Sequence, residues 1–238
     1  MKHIKDNVYG ILTMGGYMNS YILDLGNDEL AMIDTGMSAG QITKTETGLQ
    51  AKGWSLANVK HILITHWHSD HVGGLPDAQK RIDAPTYAHR LDAPVIRGDI
   101  PPEYAKEEDL TGTNRMIYGL FQRMSPEIAP TRIDIELDDE QALDEIFAGL
   151  QVVHLPGHTY GQVGYWLSDQ GILIGGDVVM RYPWGVKMPL RLPSVDWEAA
   201  KDSIRKVASM NVDTLCLGHG APMIGDANVK MTALAGKI

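Results

Sequence analysis

Between positions 66 and 71 the chain reads His66-Trp67-His68-Ser69-Asp70-His71, three imidazoles and a carboxylate within six residues. Imidazole nitrogens and carboxylate oxygens are the ligands that borderline metals such as zinc accept. The run follows an apolar, β-branched stretch, Ile62-Leu63-Ile64-Thr65. A strand that stops and releases a short loop can aim alternate side chains at one point. His66 and His68, two apart, can reach one metal from the same side, and Asp70 and His71, on the turn, can reach a second. A purification tag is contiguous and terminal, and this cluster is neither. A solvated loop has no need of the Gly73-Gly74 pair that follows, where glycine permits a tight turn or a close backbone approach.

The elements that would hold this cluster are legible from apolar runs and turn residues. Val8 to Met14, Ser20 to Leu25 and Leu30 to Ile33 read as strands separated by Gly15-Gly16 and Gly26-Asn27-Asp28. Ser38 is placed to cap a helix reaching about Lys52, with Gly53 as its stop. Residues 85–89 suggest another short strand. Residues 90–130 carry Pro94, Pro101, Pro102, Pro126 and Pro130, with Met116, Leu120 and Met124 at helical spacing. This stretch reads as a partly helical insertion: a lid or binding loop, ordinary helical packing on a sheet face, or a dimer surface. Strands return over residues 132–137, 150–155, 163–167 and 172–174. Asp196 is placed to cap a helix with Trp197, Ala200, Ile204, Val207 and Ala208 on one face. A last strand, Thr214 to Leu217, precedes a short C-terminal helix. Four of these strands end in a ligand-type residue: His66, His158 after Pro156-Gly157, Asp177 after Gly175-Gly176, and His219 after Gly218. Four such ends fit one shared site at one edge of the sheets. The grouping of strands with helices between them gives an α/β or α+β layered domain.

Composition narrows the rest. The 238 residues, 44% hydrophobic and 21% charged, suit one domain, 1–238, with a substantial core. The single cysteine, Cys216, sits in an apolar run and reads as a buried, inert thiol. A net charge of −9 without basic clusters argues against nucleic acid as a partner. No signal-peptide core or membrane-length apolar stretch is present, so the expected location is cytoplasmic, with no membrane partner.

Five motifs in order, Ile33-Asp34-Thr35-Gly36, His66-x-His68-x-Asp70-His71, Gly157-His158-Thr159, Gly176-Asp177 and Gly218-His219-Gly220, resemble the metallo-β-lactamase superfamily over nearly the whole chain. The resemblance implies an αββα sandwich of two mixed sheets flanked by helices, with a dinuclear site at the sheet edge. By that likeness His66, His68 and His158 hold one metal, Asp70, His71 and His219 the second, and Asp177 bridges both. Asp34 would support a ligand by hydrogen bonds. Two divalent ions are implied, zinc first, with iron or manganese as alternatives. They would turn a bridging water into hydroxide, with Asp70 as catalytic proton shuttle. His3, His61, His89 and His154 fall outside the motifs and read as packing or surface residues, although His89 lies near the insertion.

Departures from particular relatives narrow the activity. β-Lactamases of the best-known class carry a cysteine in the second site, where this chain has Asp177. Glyoxalase II-like thioesterases share all seven ligands but add a helical extension, and only 19 residues follow His219 here. Lactonases with the same ligands place a tyrosine three residues after the bridging aspartate. Here that position is Met180, with Tyr182 two further on. Nucleases of the superfamily need an added nucleic-acid-binding module, and flavodiiron proteins a flavin domain. What remains is a hydrolase of a small ester, thioester or lactone. Arg181, Tyr182 and Trp184 are expected to overhang the metals and contact the substrate, and Tyr160 to face the pocket. Two other readings are a persulfide dioxygenase-like enzyme using one iron on His66, His158 and Asp177, and a non-catalytic metal-binding module. The partner is a small molecule, with a homodimer open.

Overall fold

A computed structural model describes residues 1–125 and 127–238; Pro126, one of the prolines of the expected insertion, lies outside them. The first sheet contains, in spatial order, β1 (Lys2–Lys5), β2 (Val8–Thr13), β3 (Met18–Gly26), β4 (Glu29–Ile33), β5 (Val59–Leu63), β6 (Thr86–His89) and β7 (Ile135–Leu137). β1 to β4 pair antiparallel and β4 to β7 pair parallel. Then follow β8 (Leu150–His154), β9 (Val163–Leu167), β10 (Ile172–Ile174), a separate hairpin of β11 (Met180–Tyr182) and β12 (Gly185–Lys187), β13 (Thr214–Cys216) and β14 (Met223–Ile224). The second sheet runs β14-β13-β10-β9-β8. In it β10 and β13 are parallel and the other pairs antiparallel.

The helices are α1 (Ala39–Gln50), α2 (Ser69–Val72), α3 (Leu75–Arg81), α4 (Ala93–Arg97), α5 (Gly112–Met124), α6 (Trp197–Ser209) and α7 (Ala227–Ala235). Successive side chains of a strand face opposite ways, and both faces are buried here. Tyr21, Leu23 and Leu63 point into a cluster shared with Val163, Tyr165 and Ile174 of the second sheet. Their neighbours Ile22, Ile62 and Ile64 point the other way, onto Ile42 and Leu49 of α1 and Leu75 of α3. The outer face of the second sheet, with Val153 and Leu173, packs on Ile204, Val207 and Met231 of α6 and α7. Helix, sheet, sheet and helix are therefore stacked in the expected αββα order. Cys216 is buried between the sheets, and burial pushes its thiol pKa well up.

Asp196 caps α6 by accepting hydrogen bonds from the amides of Glu198 and Ala199. Ser38 precedes α1 but makes no capping hydrogen bond. The α6 face is Ala200, Ser203, Ile204 and Val207, with Trp197 and Ala208 only half-buried. Within the expected insertion, Phe121 of α5 turns its ring against Tyr104, while Met116, Leu120 and Met124 face outward. Among the described residues no helix is long and apolar enough to cross a membrane.

Candidate metal centre

Strand direction explains why distant motifs meet. β4 and β5 are parallel neighbours, so the residues that follow them, Asp34 and His66, leave the first sheet at one edge. β10 and β13 are also parallel, and β8, two antiparallel steps from β10, runs the same way. Asp177, His219 and His158 thus leave the second sheet together. The two edges are stitched: Val163 N–H donates to the Thr65 carbonyl, Tyr165 Oη–H to that of Ile64, and Tyr21 Oη–H to that of Leu217. Asn19, a residue the motifs did not flag, donates to the carbonyls of Leu217 and Gly220 on either side of His219.

All seven expected ligands converge. Three overlapping groups have ligand atoms within 4.8 Å of one another: His66, His68 and His158; His66, His71 and Asp177; and Asp70, His71 and His219. His68 Nδ1 lies 3.0 Å from His158 Nε2, and Asp177 Oδ2 lies 3.4 Å from His158 Nε2 and 3.2 Å from His219 Nε2. Asp70 Oδ2 is 3.0 Å from His219 Nε2. Nitrogen ligands of a tetrahedral zinc ion stand about 3.3 Å from each other when Zn–N is about 2.0–2.1 Å, so the spacing fits such ions. His66 Nε2 and Asp177 Oδ1 are buried without a hydrogen-bond partner, which a metal would satisfy.

The outer nitrogen of most of these rings is fixed by a neighbour, which orients the ring and sets its tautomer. His71 Nδ1–H donates to Asp34 Oδ2 at 2.7 Å, and His66 Nδ1–H to Thr65 Oγ1 at 3.1 Å. His158 Nδ1–H donates to Ser194 Oγ at 2.9 Å, and His219 Nδ1–H to the Tyr17 carbonyl at 3.2 Å. Asp34 also accepts from Thr65 N–H and Oγ1–H. Burial, reinforced by neighbouring imidazoles, holds His66 and His68 well below the usual histidine range, so their lone pairs are free. Burial opposes charge on His71 and His219 too, but nearby carboxylates overcome it, raising His71 far up and His219 to about 10.

Glycines provide the close approaches. A Cβ on Gly73 would stand 2.2 Å from the Met37 carbonyl oxygen, and one on Gly218 would stand 2.1 Å from Asp177 Oδ1. Asp92, another residue without a motif, joins the two histidine loops from outside. It is buried and accepts from Trp67 N–H, Thr159 Oγ1–H and Gly161 N–H.

Above the ligands is a pocket of about 290 Å³, walled by Met37, Tyr104, Phe121, Met180, Leu190 and Pro193 and bounded by Tyr17. The expected overhang by residues 181–184 is displaced. After Asp177 the chain turns into the β11–β12 hairpin, and Met180 alone of that segment lines the pocket. Arg181 instead donates to the carbonyls of Ala221 and Pro222, and Tyr182 and Trp184 stack on each other in a neighbouring groove. Tyr160 is exposed, lines neither cavity, and its carbonyl accepts from His154 Nε2. His89 lies outside the pocket, stacked on His154 at 4.2 Å. Tyr17, whose ring is 5.0 Å from that of His219, has only the preceding Gly15-Gly16 turn as a sequence signal.

Residues 14–219 match the family model described as the Metallo-beta-lactamase superfamily. The chain is similar to YflN of Bacillus subtilis (strain 168), a probable metallo-hydrolase, at 30% identity over 92% of this chain and 87% of the relative. It is 27% identical to a hydroxyacylglutathione hydrolase of Cereibacter sphaeroides, over 82% of this chain and 59% of that one. Its fold is like that of a metallo-beta-lactamase family protein from Thermus thermophilus, with a TM-score of 0.73, 22% identity, and coverage of 97% of this chain and 79% of the other.

Proposed function

We propose that this chain, which belongs to the metallo-beta-lactamase superfamily and is a metallo-hydrolase of it, cleaves a small thioester, ester or lactone at the histidine–carboxylate centre. The observation that carries the proposal is the overlap of the ligand groups on His66 and His71, with Asp177 between them, beneath a small apolar pocket. His66, His68 and His158 would hold one ion, Asp70, His71 and His219 a second, and Asp177 would lie between them. Bound there, the ions would supply a water that is nucleophilic near neutral pH and positive charge facing the carbonyl oxygen.

The chain's own groups do the rest. Met37, Phe121, Met180 and Leu190 hold an acyl group or ring and exclude bulk water. Asp70 retains its charge to low pH: burial works against this, but His71 and His219 outweigh it. It is also partly open to the pocket, with 23% of its side chain exposed. In this reading it takes a proton from the attacking water and passes it to the leaving group. The Tyr17 phenol, pushed up to about 12 by burial and by the neighbouring Tyr182, stays protonated at the edge of the pocket, where it would serve as a donor to the leaving group. For a thioester, the water oxygen bonds to the acyl carbon, the carbon–sulfur bond breaks, and the sulfur leaves with the transferred proton. The thioester member of the three is favoured by the likeness to a hydroxyacylglutathione hydrolase.

The test is to quantify metals per chain by mass spectrometry and assay a panel of thioesters, esters and lactones before and after chelation. The expected result is hydrolysis of at least one class, lost on chelation and restored by added metal. About one iron per chain, with oxygen consumed on a persulfide and no hydrolysis, would replace this reading with sulfur oxidation.

A further inference from the structure

On the far side of Tyr17 from the metal centre lies a second, larger groove of about 850 Å³. Its charge runs against that of the protein. The chain has 30 acidic and 21 basic residues, yet Lys2, Arg181, Lys187, Lys230 and Lys237 line the groove and, among the described residues, no aspartate or glutamate does. Lys230 is paired with Asp226. Among the described residues Lys2, Lys187 and Lys237 have no carboxylate partner, and all three are exposed. The four of these cations that no described carboxylate pairs, Lys2, Arg181, Lys187 and Lys237, repel one another, and an anion bound among them removes that cost.

The groove also carries an aromatic shelf. Tyr182 and Trp184 stack with ring centres 5.2 Å apart and planes 8° from parallel. Trp184 is 75% exposed, so its outer face is open to a further ring. Tyr17 lies 6.4 Å from Tyr182 and lines both cavities. A molecule with its carbonyl at the metals and its leaving group in the groove must pass this tyrosine. The two cavities divide a substrate accordingly, with about 290 Å³ for the acyl part and about 850 Å³ for what leaves.

We propose that the groove binds the leaving-group half of a nucleotide-bearing thioester of the acyl-coenzyme A type, with its phosphates among Lys187, Lys237 and Lys2 and its aromatic base on Trp184. This deepens the hydrolase reading and rests on it. Phosphates match the unpartnered ammonium groups, and a base matches the open indole face in a way that a purely aliphatic carboxylate thiol does not.

The test uses isothermal titration of the metal-loaded full chain with desulfo-coenzyme A, which lacks the sulfur that could itself bind metal. Saturable binding is expected. It should weaken about tenfold or more in the Lys187→Glu/Lys237→Glu variant and as salt is raised, and also in Trp184→Ala. Lys60→Glu, an exposed lysine outside the groove, should leave it unchanged. No binding of desulfo-coenzyme A, or binding indifferent to the groove variants, overturns the proposal. So does displacement by glutathione, or tight binding of an acidic carrier protein in place of the nucleotide. The ligand is not hydrolysed, so the outcome is independent of turnover. Binding without hydrolysis of any thioester, ester or lactone would sink the hydrolase reading, whereas hydrolysis of a truncated thioester without nucleotide binding would sink only the groove.

Discussion

Asp34 Oδ2 lies 2.7 Å from His71 Nδ1, and Asp34 itself sits in the left-handed region at φ 59°. Aspartate tolerates that conformation better than most residues, and both its oxygens are used, on Thr65 and His71. Asp34→Ala should therefore reduce metal affinity by about 10–100-fold by releasing His71 from its orientation. Competition with a chromophoric chelator would measure it. Unchanged affinity would show that Asp34 only supports the loop.

Metal uptake should release protons. Without metal, His219 keeps its proton up to about 10 and His71 is likewise raised, each beside Asp177 and Asp70. A metal ligand must be unprotonated, so apparent affinity should fall as pH falls. Titrations in buffers of different ionisation enthalpy should show net proton release. In the metal-free chain the raised His219 contributes stability fully present below its ordinary 6.5 and lost as pH rises through about 10.

Gly218→Ala should disable metal binding more than it unfolds the chain. The new methyl group would stand 2.1 Å from Asp177 Oδ1 and 2.6 Å from His71 Cε1, so either the backbone or the ligands must move. Overpacking of this kind costs about 1–3 kcal/mol. Thermal melts and metal analysis of the purified variant would separate the two effects.

Asp92→Ala leaves the amides of Trp67 and Gly161 and the hydroxyl of Thr159 without their acceptor. Each unpaired buried donor costs about 1–3 kcal/mol, and the loops carrying His68 and His158 lose their tie. Burial raises Asp92 to about 7. Its contribution is therefore present below its ordinary 3.8 and declines as pH rises through about 7. The destabilisation measured by denaturant titration should be larger at acid pH than above neutrality.

His89 should contribute to acid sensitivity. Burial, with His154 and Arg90 adding to it, lowers His89 to about 4 from 6.5. The unfolded chain takes up that proton first, so stability falls as pH drops from 6.5 towards 4. His89→Phe keeps a ring against His154 and should flatten that part of the profile. An unchanged slope in the variant would assign acid sensitivity to other groups.

The convergence of the candidate ligands was legible because their chemistry is carried by residue type and local spacing. His66, His68, Asp70 and His71 fall within six residues, and His158, Asp177 and His219 each follow an apolar strand across a glycine. The layers were readable for a similar reason: continuously apolar strands such as residues 62–64 must be covered on both faces, and they are. Asn19 and Asp92 were not, because their roles come from partners 201 and 69 residues away. No local pattern distinguishes a buried polar residue that ties two loops from one that faces water. Residue type and spacing alone picked out the candidate metal-binding atoms and the strand ends that carry them. Where the pocket lies depends on packing between segments far apart in the chain. The turn into the β11–β12 hairpin carries Arg181, Tyr182 and Trp184 away from the metals, and the packing of two sheet edges sets Tyr17 between the two cavities.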